Sequence, residues 1–106
     1  MQKYLIQANY VGDGIKGLLK EGGTSRRATI EKLVKSLGGN IEAFYYAFGE
    51  TDVYVIAEVP DNASMASLAL TISASGAVTI KTTVLMTPEQ IDEATKKALS
   101  YRPPGQ

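Results

Sequence analysis

Apolar and polar residues alternate with period two in four short stretches of the chain, and between those stretches the apolar positions recur at helical spacing. "KYLIQANYV", residues 3–11, has the β-branched and aromatic content of a first strand. Gly12, Asp13 and Gly14 interrupt it, and Asp13 is placed to cap a short helix with Ile15, Leu18 and Leu19 on one side. Gly22-Gly23 ends that piece. Thr24 or Ser25 then starts a longer helix, with Ile30, Leu33, Val34 and Leu37 at helical spacing and Gly38-Gly39 as its stop, so the two pieces read as one broken helical segment. "NIEAFYYAF" and "DVYVIAEV" follow as strands joined at "GET", a connection of hairpin length containing glycine.

Pro60 closes that third strand, and Asp61 or Asn62 caps "ASMASLALTISASG", whose Met65, Leu68, Ala69 and Ile72 share one helical face before Gly76. "AVTIKTTVLM" is the fourth strand. Thr87, Pro88, Glu89 and Gln90 form a capping box with proline at the first helical position, so a last helix is predicted to run to about Leu99. Residues 1–99 are expected to form one domain, and 100–106, "YRPPGQ" with the serine before it, a C-terminal tail. The element order β-α-β-β-α-β plus a terminal helix predicts an α+β, ferredoxin-like fold with a four-stranded antiparallel sheet.

Strict alternation divides the sheet into two faces. One carries Ile6, Ala8 and Tyr10, then Ile41, Ala43, Tyr45 and Ala47, Val53, Val55, Ala57 and Val59, and Val78, Ile80, Val84 and Met86, and is the expected helix-packed face. The other carries Leu5, Gln7 and Asn9, then Glu42, Phe44, Tyr46 and Phe48, Asp52, Tyr54, Ile56 and Glu58, and Thr79, Lys81, Thr83 and Leu85. Four strands ~4.8 Å apart, with residues rising ~3.3 Å, give that mixed face about 500 Å². Such an area is at the upper end of what monomers leave open, and a second copy of the chain is the simplest cover. Sheet-to-sheet pairing into a dimeric α/β barrel is therefore expected, with the hairpin's polar groups lining a cleft.

Composition narrows the chemistry. The 106 residues contain neither cysteine nor histidine. Disulfides, thiolate nucleophiles, zinc ribbons, iron–sulfur clusters, Ser-His-Asp triads and histidine-ligated metals are all excluded. Lys plus Arg and Asp plus Glu number 11 each, so no global field steers the protein to nucleic acid or to an anionic membrane. "MQKYLIQANY" alternates instead of forming the apolar block of a signal peptide, and a cytoplasmic protein is the default expectation. Gly12-x-Gly14 and Gly22-Gly23 lack the strand-to-helix phosphate fingerprint.

Within those bounds Asp52 is the first candidate. A carboxylate at a strand start serves as a general base or grips a ligand amine; alternatively it accepts backbone N–H bonds and fixes the hairpin. Tyr46 and Tyr54, with Gln7, Asn9 and Lys81, supply phenol, amide and ammonium groups to an apolar wall, as small-molecule sites do, or else form a polar dimer interface. Lys81 and Glu58 are also candidates to pair across strands. Arg26-Arg27 opposes a helix macrodipole, which marks anion binding, an intersubunit ion pair or merely solvated surface.

"SLALTISASGAVTIKTTVLMTPEQI" (67–91), "FYYAFGETDVYVIAEVPD" (44–61) and "YLIQANYVGDGIK" (4–16) together resemble the GYD-domain family over nearly the whole chain. The signature of that family reads glycine, any residue, tyrosine, aspartate. Here it is Gly49-Glu50-Thr51-Asp52, so Gly49 and Asp52 carry over and the tyrosine does not. Many members place a tryptophan where Tyr46 stands. The resemblance implies a dimeric ferredoxin-like α/β barrel, a superfamily that includes cofactor-independent monooxygenases, lactone isomerases and amino-acid-sensing modules. The reading that follows is a homodimer, or an oligomer of dimers, binding a small organic molecule without cofactor or metal and without nucleic-acid or membrane partners. One alternative is a cofactor-free enzyme of monooxygenase or isomerase type with Asp52 as base and Tyr46, Tyr54 and Asn9 orienting substrate. A second is a structural assembly domain.

Overall fold

Eight elements follow one another in a computed structural model that describes residues 1–106. They are β1 (Gln2–Tyr10), α1 (Gly14–Glu21), α2 (Gly23–Ser36), β2 (Asn40–Tyr46), β3 (Val53–Val59), α3 (Asn62–Ala74), β4 (Val78–Leu85) and α4 (Pro88–Thr95). The strands lie in the order β2-β3-β1-β4 with every neighbouring pair antiparallel, which is the expected ferredoxin-like arrangement.

Local chemistry accounts for most of the boundaries. Gly22 alone separates α1 from α2, at a φ of 84° that only glycine adopts freely, and α2 begins at Gly23 just ahead of the expected Thr24 or Ser25. Asp13 occupies the cap position of α1 but makes no capping hydrogen bond; its carboxylate lies 3.8 Å from Lys16 Nζ instead. Asp61 does cap α3, accepting the Ser64 N–H at 2.8 Å, and that bond holds its carboxyl below the ordinary value. Thr87 and Gln90 complete the capping box of α4, which stops at Thr95, short of Leu99.

The core lies on one side of the sheet. Along β3, Val53, Val55, Ala57 and Val59 are buried while the residues between them are not. Tyr4 and Ile6 of β1, Val34 of α2, and Met65 and Leu68 of α3 complete the cluster. The buried Tyr4 ring keeps its hydroxyl satisfied by donating to the Asn62 side chain, and burial raises its pKa.

Strand β2 departs from strict alternation. Ile41 faces Ala57 and Ala43 faces Ile56, so Glu42 is an extra residue, a β-bulge. Beyond it the two faces exchange. Phe44 opposite Val55 and Tyr46 opposite Val53 turn to the helix side, and Tyr45 opposite Tyr54 turns outward, the reverse of the period-two assignment. Phe44 packs against the core and meets the Tyr46 ring edge-on at 5.5 Å. The outer face then reads Leu5, Ile56, Ala43, Tyr45, Tyr54 and Leu85 among polar residues, none of them buried. Glu58 pairs there with Lys3 at 4.0 Å, not with Lys81, which lies opposite Gln7. Lys3 also meets Glu42 at 2.8 Å, and that contact raises its pKa.

Gly39 is a position of close approach. A Cβ there would lie 2.2 Å from the Glu58 carbonyl oxygen, which is ladder backbone with no room to yield. Gly39→Ala is expected to lower unfolding free energy by about 1–3 kcal/mol, the usual cost of overpacking. Gly17→Ala is the control: it sits within α1 with nothing within 4 Å of its Cβ position. It should leave stability unchanged or raise it by up to ~1 kcal/mol. Urea denaturation followed by circular dichroism measures both.

Candidate functional site

The end of the sheet where β1 stops, β2 turns and β3 begins is held together by side chains. The β1–β3 ladder runs out at the Ala8–Val53 pair. Past that point Asp52 Oδ2 accepts the Tyr10 N–H at 3.0 Å, while the Asp52 N–H donates to Asn9 Oδ1 at 2.8 Å and to the Ala8 carbonyl at 3.1 Å. The Ala47 N–H closes the loop by donating to the Asp52 carbonyl at 2.8 Å. The Asp52 carboxylate thus stands in for a ladder acceptor, and Asn9 reinforces a backbone bond that Asp52 already makes to Ala8. Asp52 fixes the hairpin to the end of β1, and its Oδ1 makes no hydrogen bond within the chain.

Tyr46 ties the same corner to the helices. Turned inward by the bulge, its hydroxyl donates to the Gly23 carbonyl at 3.0 Å, and a Cβ on Gly23 would come within 2.9 Å of its ring. Its pKa is pushed up to about 12, by burial first and then by the neighbouring Tyr10 phenol, against the opposing pull of Arg26 and Arg27. The phenol is a neutral donor across the physiological range.

A cleft of about 390 Å³ opens between this corner and α1. Tyr10, Ile15, Leu18, Tyr46 and Phe48 wall it, and Asp52 is its one ionisable carboxylate. Phe48 is fully exposed at the rim. A groove of about 320 Å³ between α1, α2 and α3 shares Tyr10 and Leu18 with it, so the hollow continues beneath the helices past Arg26. The Arg26 guanidinium is only loosely engaged there, 3.7 Å from Glu21. No group of three or more acidic side chains lies close enough to hold a metal ion.

The six residues singled out from the sequence fall into three places. Tyr46 and Asp52 line the 390 Å³ cleft. Gln7, Asn9 and Lys81 line a separate hollow of about 220 Å³ beside Glu50, Thr51 and Thr79. Tyr54 stands on the outer face between Gln7 and Tyr45. Tyr10, Ile15, Leu18 and Phe48 were not among them. Ile15 and Leu18 carry only the pattern of an ordinary core stripe. Tyr10 sits in register with the helix face, and no spacing marks it as a wall.

Asp52→Ala removes the acceptor of the Tyr10 amide and should cost about 1–3 kcal/mol in urea unfolding, whereas Asp52→Asn keeps an oxygen in place and should cost less than ~1 kcal/mol. Ultraviolet titration should show one tyrosine ionising only near pH 12, absent in Tyr46→Phe. The sign follows from linkage: a phenol whose folded pKa lies above the unfolded value of about 10 stabilises the fold below that pH. That stabilisation is lost as pH rises from there through the folded value.

No helix is long and apolar enough to cross a membrane. No curated protein and no solved structure matches the chain. The GYD domain family does, over residues 4–95, from the buried Tyr4 in β1 to the last residue of α4. That span takes in the bulged β2, the Asp52 loop and every wall of the cleft, and the chain belongs to the GYD domain family.

Proposed function

We propose that this GYD domain acts as a homodimer, paired through the outer faces of its sheets, and binds a small, largely apolar organic molecule in the cleft beside Asp52. The observation that carries the binding reading is the cleft itself. Its volume of about 390 Å³ lies within the range of ligand sites, and aromatic and aliphatic walls surround a single carboxylate. Asp52 commits Oδ2 to the Tyr10 amide and keeps Oδ1 without a partner. A ligand with an N–H or ammonium group at one end of an apolar body suits that acceptor. A purely structural domain would fill this space with its own aromatic rings. Phe44 instead packs into the core, Phe48 stands in solvent, and Tyr54 lies on the other side of the sheet.

The dimer reading is supported by the outer face. Leu5, Ile56 and Leu85 are half-buried, and Tyr45 and Tyr54 are exposed, in a chain whose core helices α2 and α3 pack on the other face of the sheet. Covering about 500 Å² of mixed surface per protomer is the simplest use of it.

Native mass spectrometry of gently purified protein should show a dimer carrying a reproducible excess mass, and the Leu18→Trp variant, with its cleft filled, should lack that excess. Benzylamine and tryptamine, titrated to millimolar concentration, should shift the amide resonances of Tyr10, Leu18 and Phe48. A bare protein whose resonances ignore both amines would overturn the binding reading, and a monomer mass would overturn the dimer.

A further inference from the structure

Every residue from Met86 to Gln106 is exposed. All the hydrogen bonds these residues make are to one another, and none of their charged groups enters an ion pair. The consequence is visible in the dimensions of the molecule. The radius of gyration is 17.1 Å and the extents are 57 × 33 × 23 Å. A compact chain of this length would have a radius of gyration of ~13 Å. The segment is an arm that stands away from the body that bears it.

The arm is nonetheless built with care. Helix α4 has a complete capping box and proline in its first turn, yet it is 8 residues long and buries nothing. An isolated helix shorter than ~12 residues is marginal in water however well it is capped, because nucleation is unfavourable. Packing has to supply the rest. Met86, Ile91, Leu99 and Tyr101 are the apolar groups it offers, and all four are exposed.

We propose that the arm, residues 86–106, docks on a second copy of this chain and completes the interface between two sheets. The proposal rests on the dimer reading above and extends it. Area is the first argument for that occupant. Two outer faces of about 500 Å² each bury ~1,000 Å² together, at the floor for a specific interface, whereas stable ones bury ~1,200–2,000 Å². Two symmetry-related arms supply the shortfall. Charge is the second. Glu89, Asp92 and Glu93 of α4 enter no ion pair, and neither does Lys81, near the middle of β4 on the outer face, although Glu50 lines the same hollow. A second copy brings the acidic helix and the free ammonium within reach of each other, and an isologous interface does so twice.

The test uses the full chain. Ile91→Asp with Leu99→Asp changes only exposed positions, so the fold, checked by circular dichroism, should persist. Sedimentation equilibrium should then show the dimer weakened ~100-fold or more, the loss expected when interface anchors are removed. Because the chain has no cysteine, Ser100→Cys provides a single site for a benzophenone label. In a mixture of 15N-labelled and unlabelled protein, irradiation should yield covalent dimers whose crosslinked peptides join a heavy chain to a light one. A double variant that dimerises as tightly as the parent, with crosslinks confined to one chain, would overturn the arm while leaving the sheet-to-sheet dimer standing. A parent chain that stays monomeric would overturn both.

Discussion

One extra residue in β2 decides what each side of the sheet is for. With Glu42 bulged out between Ile41 and Ala43, the strand changes phase halfway along, and three aromatic side chains in succession are distributed by that phase. Phe44 closes the core, Tyr46 reaches under the helices to Gly23, and Tyr45 is left on the outer face beside Tyr54. Without the bulge Phe44 and Tyr46 would point away from the helices, and the cleft would lose its back wall. The bulged residue itself is not idle. Its carboxylate spans to Lys3, two strands away, where Glu58 also contributes. An exposed ion pair of that kind is worth only ~0–1 kcal/mol, so what it supplies is register more than stability.

The central strand β1 is consequently fastened at both ends by polar groups. Lys3 meets Glu42 and Glu58 near its start, and around its end Asn9 accepts the Asp52 N–H while the Asp52 carboxylate accepts the Tyr10 N–H. The second fastening lies where the β1–β3 ladder has run out: the Asp52 carboxylate supplies the acceptor for the Tyr10 N–H, and Asn9 shares the Asp52 N–H with the Ala8 carbonyl. This explains how Asp52 can be a signature residue and a structural one together. A carboxylate held by a backbone amide has its position fixed by the fold.

Much of the fold was legible because its devices are local. The glycine pair after α2, the capping box before α4, the Asp61 cap and the β3 alternation each act within a few residues, and each stands where the pattern places it. The faces of β2 were not legible. A bulge leaves no mark on a stretch such as "NIEAFYYAF", since either phase puts aromatic residues on both sides of the strand. The site was half legible for a related reason. Asp52 and Tyr46 declare themselves as polar groups in an oily hairpin, but Gln7, Asn9 and Lys81 do so equally and lie in a different hollow. Which polar residues share a cavity depends on the bulge and on where α1 crosses. Neither is written in the spacing.

The distribution of the core bears on how the domain holds together. The nine buried core side chains all lie between one face of the sheet and the helices α2 and α3. A chain of this size that buries apolar surface on one side only leaves much of its hydrophobic driving force unrealised. Any process that covers the outer face adds to stability by mass action, since it favours the folded chain alone. The cleft occupies the opposite end of the sheet from the point where β4 passes into α4, because Val78 lies opposite Tyr10 and Leu85 opposite Lys3. Covering the outer face and filling the cleft therefore draw on different residues joined by the same central strand. The strand common to both ends of the sheet is β1, held by Lys3 near its start and by the Asp52 and Asn9 side chains around its end.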